Sequence, residues 1–237
     1  MAALLPLFVF LVALTTVGCA RSAESAAGRV AASSSSLSDY GMRQPDQPAS
    51  EAPLSSVMRT YRIMPQQSEA FYEVQERLFM LPAPSKAVGR TQAITGEFQL
   101  MLGPAPRLDA NRFRVDLRTL TSDSGRRDRF IREQWLESNL FPFADFIATQ
   151  AQDLPQRSAE GQEVPFKLTG DMTIHDVTRP LTFDVRAALA GDTLTGTATT
   201  FLLMRDFGFD PPEILGAVRV DDGVTLTVRF MATAVEG

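Results

Sequence analysis

Side chains that commonly carry out chemistry are scarce in this sequence. His175 is the only histidine and Cys19 the only cysteine among the 237 residues. Zinc sites usually draw on several histidine or cysteine side chains, and a Ser-His-Asp or Cys-His arrangement would depend on His175 alone. Because these groups are so few, we expect no enzymatic activity, no metal site and no required cofactor.

His175 itself lies in a polar turn, Ile174-His175-Asp176-Val177, between two runs of alternating residues. With a neighbouring acid it is a candidate general base. A polar residue at the end of a strand, beside a turn, is the simpler interpretation and the one we favour. A catalytic role would be excluded if His175→Ala left all measured behaviour intact.

The single cysteine follows an apolar N-terminal run. Residues 2–17 are too few for a comfortable membrane span but match the length of the apolar part of a secretory signal. Thr16-Val17-Gly18-Cys19 resembles the bacterial lipobox, although Thr16 stands where leucine is usual and no basic residue precedes the run. We predict a lipoprotein signal peptide at 1–19 and lipidation of Cys19. An ordinary signal or anchor with an incidental cysteine is the alternative.

Lipidation would place the protein on a membrane. Ala20 follows the cysteine in place of aspartate, which by similarity to Gram-negative lipoproteins predicts the periplasmic side of the outer membrane. We therefore expect a location in the cell envelope. Residues 20–56 are rich in alanine, serine, glycine, glutamine and proline and have few large apolar residues, so we predict a disordered tether there. The formal net charge of −5 offers no basic footprint for nucleic acid.

From residue 57 onward, short runs of alternating apolar and polar residues are separated by glycine, proline, aspartate or asparagine. A period of two is typical of strands with one buried face. The predicted strands cover residues 60–63, 70–74, 94–102, 111–119, 146–150, two arms of a hairpin across 170–185, 193–203 and 224–232. Strands at this spacing predict a sandwich or a barrel. A barrel is preferred because the long last strand needs a partner along its edge.

One segment departs from the alternating pattern. Residues 124–141 place apolar side chains at helical spacing, with Ser122, Asp123 and Ser124 as suitable N-caps and Pro142 at the end. We predict a helix or a pair of helical turns that covers one side or one mouth of the barrel.

Five motifs follow one another through this part of the chain. They are Tyr61-Arg62-Ile63 with Ser68-x-Ala70-x-Tyr72-x-Val74, then Gly89-Arg90-Thr91 with Ile94-Thr95-Gly96-Glu97-Phe98, then Arg127-Asp128 through Trp135-Leu136 to Phe141-Pro142 and Phe146, then the hairpin at 170–185, and finally Arg205-x-Phe207-Gly208 with the strand at 224–232. In this order they resemble the YceI-like, polyisoprenoid-binding proteins of bacteria, across residues 61–235. Asp176 replaces a usual glycine, a change that aspartate tolerates in left-handed backbone, and residues 78–86 look like an inserted loop.

The resemblance implies an all-β fold over residues 57–237: an elongated, eight-stranded antiparallel, lipocalin-like barrel with a short helical insert. It also implies that the bore holds a long isoprenoid or quinone-like lipid, for sequestration or transport in the cell envelope. A barrel of about eight strands has room for packed side chains or for one small ligand. The candidate lipid-binding residues, all on inward faces, are Phe98, Leu100, Phe113, Val115, Leu117, Phe166, Leu168, Met172, Ile174, Phe183, Val185, Leu226, Val228 and Phe230.

Two alternatives stay open at this point. An apolar strand face is by default plain core, and if the inward residues form one, the protein is an envelope stress or interaction module with a filled barrel and no ligand. Arg126, Arg127, Asp128 and Arg129 are candidates for contact with a phosphate or quinone head group, or else form a solvated helix face. The pattern does not decide whether the protein is a homodimer.

Overall fold

The computed structural model describes residues 56–214 and 217–235. Their strands are β1 (Val57–Ile63), β2 (Glu69–Leu78), β3 (Ser85–Thr91), β4 (Ile94–Leu102), β5 (Arg107–Asp116), β6 (Phe143–Gln152), β7 (Glu163–Ile174), β8 (Val177–Ala190), β9 (Thr193–Leu203), β10 (Glu213–Ile214) and β11 (Val218–Val235). Helix α1 spans Gly125–Phe130 and continues into one π-helical turn, Ile131–Trp135. Short 3-10 turns lie at Pro65–Gln67, Leu117–Thr119 and Met204–Phe207.

Eight of these strands close into an antiparallel barrel, in the order β1-β4-β5-β6-β7-β8-β9-β11, with β11 returning to β1. The closure uses the C-terminal part of β11, where Ala232 pairs with Ile63 and Val235 pairs with Thr60. The predicted all-β, eight-stranded barrel with a short helical insert is confirmed. All the strands and hydrophobic cores of the described residues lie within the barrel segment, so a fragment that begins at Ser56 retains them.

Two further strands extend the barrel wall on one side. The N-terminal part of β11 pairs with β2, from Arg229 opposite Glu69 to Val218 opposite Leu78, and β3 pairs with β2. The prediction of an inserted loop at residues 78–86 is wrong at both ends. Leu78 ends β2, and Ser85 and Lys86 already belong to β3. The pattern failed here because Gly89 and the two prolines hide the alternation of a short edge strand.

Strand β5 also differs from its prediction. It begins earlier, at Arg107, and ends at Asp116, whereas the predicted strand ran to residue 119. Asp116 ends it because its carboxylate accepts a hydrogen bond from the Arg118 amide, 3.0 Å away, which caps a 3-10 turn. Leu117, in that turn, is nevertheless buried as expected.

Helix α1 begins where the capping residues predicted. The Ser124 side chain accepts a hydrogen bond from the Arg127 amide, and Asp128 accepts from the amide of Ser122 at 2.8 Å. The helical geometry ends at Trp135, earlier than residue 141. The hairpin turn differs in one detail: His175, with φ of 62°, takes the left-handed conformation expected of Asp176.

The predicted signal peptide, the lipidation site Cys19 and nearly all of the tether at 20–56 lie outside the described residues. In the part of the chain that the structure does describe, no helix has both the length and the apolar character to cross a membrane.

Close approach of two strands explains one glycine in the predicted hairpin. Strand β6 has an irregular register between Ala148 and Gln150, and Gly170 of β7 faces this irregularity. A Cβ atom at Gly170 would lie 2.3 Å from the Ile147 carbonyl oxygen and 2.6 Å from the Ala148 Cα. Backbone atoms of this kind cannot move aside without disturbing the β6–β7 ladder.

We expect Gly170→Ala to destabilise the barrel by about 1–3 kcal/mol, the typical cost of overpacking, or more because the clash involves backbone. The matched control is Gly125→Ala at the start of α1, where a Cβ meets nothing within 4 Å. That change should leave stability equal or slightly higher, because alanine favours helix. Chemical unfolding of both variants measures the difference, and equal stabilities would contradict the close approach.

Candidate functional site

The bore of the barrel contains a cavity of about 890 Å³. Its wall is built from the inward faces of the strands, because successive side chains in a strand point alternately in and out. Of the residues predicted to face a lipid, all except Leu100 line this cavity. Leu100 is buried instead among Tyr61, Ile63 and Phe98. That these residues bind lipid stays a prediction.

Several further residues line the cavity beyond the predicted ones. They are Ile63, Ala70, Tyr72, Val74, Ala87, Ile94, Ala144, Phe146, Leu194, Ala198, Leu202, Met204, Phe207 and Phe209, among others. Ala70, Tyr72 and Val74 share one face of a predicted strand, so the alternation could have identified them. Ala87 could not be found in this way, because the pattern predicts a loop across the start of its strand, β3.

Small side chains help to leave the space open. Ala70, Ala87, Ala144 and Ala198 all point at the cavity, where larger apolar residues would fill it. The phenylalanines do contact one another along one wall: ring centroids are 5.6 Å apart for Phe98 and Phe113, 6.4 Å for Phe113 and Phe146, and 5.0 Å for Phe146 and Phe183. The aromatic contacts therefore line the void without closing it.

The cavity narrows to a packed cluster near β1. Tyr61 and Ala232 are fully buried there, and the Tyr61 ring stacks on Phe98 with centroids 5.6 Å apart. Ile63, Ala70, Ile94 and Leu100 belong to the same cluster. An apolar chain in the bore would end against these side chains.

The polar residues of the cavity lining concentrate at the opposite end, on β2 and on the segment that contains α1. They are Glu76, Ser124, Arg126, Arg127, Arg129 and Gln134, with Thr227 of β11 as the exception. The cavity is therefore amphipathic along its length, with one apolar end and one polar rim.

The predicted cluster of charges on α1 separates into two groups. Arg127 is half-buried and paired, because its guanidinium donates to the buried carboxylate of Glu76 at 3.1 Å and to the exposed carboxylate of Asp123 at 2.5 Å. The Asp128 carboxylate accepts hydrogen bonds from the amide and the hydroxyl of Ser122, just before the helix. Arg126 and Arg129 are exposed at the rim, and neither makes a hydrogen bond or an ion pair with the described residues. These two arginines are therefore free to meet a ligand.

His175 lies outside the cavity lining. Its Nε2 is 3.2 Å from Glu137 Oε2, its Nδ1 is 3.2 Å from Asp176 Oδ1, and its ring packs on Phe141 with centroids 3.5 Å apart. The side chain thus connects the β7–β8 turn to the segment after α1. Within the described ranges, no three His, Cys, Asp or Glu side chains are arranged to hold a metal ion.

The fold and the cavity define an all-β barrel of the small, ligand-sized kind. The chain belongs to the YceI-like domain family, whose model matches residues 61–232.

It is similar to a UPF0312 protein of Pseudomonas putida (strain W619), with 31% identity over 113 residues, 44% of this chain and 55% of that relative. A UPF0312 protein of Shewanella sp. (strain ANA-3) is also 31% identical, over 133 residues, 52% of this chain and 64% of the relative. The chain thus spans about half to two thirds of the length of these relatives.

Two solved structures share the fold. One is a polyisoprenoid binding domain from Saccharophagus degradans implicated in plant cell wall breakdown, with a TM-score of 0.56, 11% identity and coverage of 74% of this chain and 98% of that one. The other is Burkholderia cenocepacia BcnA, with a TM-score of 0.55, 17% identity and coverage of 72% and 99%. At these identities the likeness establishes the barrel architecture.

The cavity wall also contains one strongly perturbed ionisable group. Burial raises the pKa of the Tyr72 phenol to about 12, above its ordinary value of 10.0. Because the folded barrel keeps this group neutral, the phenol favours folding below pH 10, and that contribution is lost as pH rises from about 10 to about 12. Burial also raises the pKa of the Tyr61 phenol.

We expect the free energy of unfolding to fall by roughly 2–3 kcal/mol over this pH range on account of Tyr72, at 1.36 kcal/mol per pKa unit. Tyr72→Phe removes the ionisable group and should flatten that part of the profile. Urea unfolding of both proteins at several alkaline pH values measures the difference. Parallel profiles for wild type and Tyr72→Phe would show that Tyr72 is not shielded in this way.

Proposed function

We propose that the barrel binds one long lipid of the isoprenoid or quinone-like class without covalent chemistry, and that it sequesters or transports this lipid. The observation that supports this most is the cavity of about 890 Å³ behind an apolar wall. About 30 water molecules would be needed to fill this cavity, at about 30 Å³ per molecule, and each water molecule would need polar partners. The wall supplies few of these, so an apolar occupant is favoured.

The size of the cavity supports this proposal over the alternative of a filled barrel. Ligand sites commonly measure about 300–1,000 Å³, and the bore lies near the upper end of that range. Binding there is driven by removal of apolar surface from water and by close contact with the wall. The barrel from Saccharophagus degradans is a polyisoprenoid binding domain, which supports the same class of lipid here.

The polarity of the lining orients the ligand. We place its chain in the bore, with the far end against Tyr61 and Phe98, and its head at the rim beside Arg126 and Arg129. Two guanidinium groups that have no ion-pair partner in the described part of the chain favour a head group with acceptor oxygens. A phosphate therefore fits this position better than a neutral quinone.

Localisation is part of the proposal. Lipidation at Cys19 would hold the barrel on the periplasmic side of the outer membrane, where insoluble lipids need a carrier. Cell fractionation of the full chain tests this location.

The ligand is tested by organic extraction and mass spectrometry of the fragment that begins at Ser56. We expect a bound isoprenoid lipid, or uptake of added quinone or polyprenol. Ala198→Phe, which introduces a ring into the cavity, should lower the lipid content severalfold. The matched control is Thr197→Phe on the neighbouring outward position of β9, which should retain the lipid.

Thermal unfolding of both variants checks that each is folded. Absence of lipid from wild type, together with no uptake of either added lipid, would contradict the proposal. Equal lipid content in the two variants would place the ligand outside the bore.

The head group is tested with polyprenyl phosphate and a neutral quinone of similar chain length. Arg126→Gln/Arg129→Gln should weaken binding of the phosphate by about tenfold, since both arginines are exposed and an exposed ion pair contributes about 0.2–1 kcal/mol. Binding of the quinone should change little. The control Arg62→Gln/Arg186→Gln removes the same charge from the outer wall, where both arginines are exposed. Equal effects of the two double variants would contradict a specific role of the rim.

A further inference from the structure

The turn between β2 and β3 exposes three consecutive large apolar side chains. The exposed fractions are 55% for Phe79, 90% for Met80 and 50% for Leu81. We call these three residues the apolar tip. No other run of three such residues occurs among those that the structure describes; the remaining exposed apolar residues occur singly or in pairs. A run of this kind is a liability in water unless it serves a contact.

Hydrogen bonds fix the tip in its exposed position. The Phe79 amide donates to the Ala217 carbonyl at 3.0 Å, and the Leu81 amide donates to the Leu78 carbonyl at 2.9 Å. Pro82 and Pro84 follow and restrict the backbone further. The tip is therefore a shaped projection of the barrel and has no internal pocket for its side chains.

The tip lies at the polar end of the cavity. Leu78, directly before it, and Val218, paired with Leu78, both line the cavity. The β2–β11 ladder continues to this pair, whereas β9 leaves β11 at the Leu203–Gly223 pair. Five residues of strand separate the two positions, so the hairpin projects about 15 Å past the end of β9.

The charges beside the tip are arranged for an anionic partner. Arg77 and Arg219 face each other in register on β2 and β11, and like charges directly opposite are unfavourable. Arg77 makes no hydrogen bond or ion pair with the described residues, and Arg219 reaches Glu213 only at 3.8 Å. A phosphate placed between the two guanidinium groups would relieve their repulsion.

We infer that the apolar tip inserts into the interfacial layer of an anionic phospholipid bilayer, with Arg77 and Arg219 against the lipid phosphates. Docking of this kind would bring the polar rim of the cavity to the membrane surface, where a lipid enters or leaves. A second protein is a poorer match, because three side chains on a narrow hairpin expose a few hundred Å² at most, and stable protein interfaces bury about 1,200–2,000 Å². A bilayer accepts a small convex wedge.

The inference is tested with the full chain carrying Cys19→Ser, which removes the only native thiol, and Met80→Cys labelled with an environment-sensitive fluorophore. Vesicles of phosphatidylethanolamine and phosphatidylglycerol should shift the emission to the blue, and vesicles of phosphatidylcholine should do so much less. The control label is placed at Phe201→Cys, because Phe201 is an apolar residue of the outer wall that is 61% exposed. The emission of this label should not respond to vesicles. An equal response at the two positions, or none at position 80, overturns the inference.

Variants separate the tip from other membrane contacts. In the labelled background, Phe79→Ser/Leu81→Ser should weaken partitioning to the vesicles, followed by the emission change, about a hundredfold, because burial of each of the two apolar side chains contributes about one order of magnitude. The control Ile147→Ser/Phe201→Ser removes comparable exposed apolar residues from the barrel wall and should leave the response intact. Equal losses in the two double variants would overturn the assignment to the tip.

Two further outcomes are decisive. Emission at position 80 that shifts with protein concentration, without vesicles, would identify a second copy of the chain as the occupant and overturn the inference. Ala198→Phe, designed to exclude lipid from the bore, should keep the fluorescence response of the tip. Membrane docking and lipid binding are therefore tested separately. Loss of bound lipid does not contradict docking, and loss of docking does not contradict lipid binding in the bore.

Discussion

Backbone pairing along β11 is the interaction on which the rest of the structure depends. One side of this 18-residue strand pairs with β9, and the other side pairs with β2 in its first part and with β1 in its last. A register irregularity between Val220 and Val224 lies within the β2 ladder. Because the strand has partners on both sides, the sheet closes without a free edge at this point.

Closure of the barrel also creates the cavity. With eight strands in the ring, the bore is wide enough that inward side chains need not meet across it. Part of the wall has small side chains, which leave the space beside them open: Ala70, Ala87, Ala144 and Ala198. Another part has a continuous row of aromatic rings: Phe98, Phe113, Phe146 and Phe183. The void is therefore a property of the ring geometry and the distribution of small residues together.

The same closure gives the two ends of the barrel different characters. At the β1 end, Tyr61, Phe98 and Ala232 are buried in one hydrophobic cluster. At the other end, α1 and the π-helical turn bring arginines to the rim, and the Trp135 indole N–H donates to the Asp210 carbonyl at 3.0 Å. The extended β2–β3 hairpin projects from this end as well, so polar rim and apolar tip are neighbours.

Local patterns in the sequence were sufficient for most of the barrel. Alternation located 94–102 and 193–203 at their observed bounds, because both strands have one face inside and one outside. All but one of the inward residues that alternation predicted line the cavity. Residue types predicted a helix cap among Ser122, Asp123 and Ser124, and Ser124 is the one that caps the helix. Alternation failed at β3, a short edge strand, where few apolar residues mark the inward face. Side-chain capping by Asp116, rather than a change in hydrophobicity, ended β5.

The sequence by itself therefore determined the class of fold, the inward faces and the scarcity of catalytic groups, since these depend on residue type and period alone. Only the tertiary structure decided whether the inward faces enclose a void, because a space depends on distances across the barrel that no local pattern contains. It likewise decided that Arg127 is paired with Glu76 while Arg126 and Arg129 have no ion-pair partner among the described residues, although the three are neighbours in sequence. Pairing across 51 residues of chain requires the folded positions of β2 and α1.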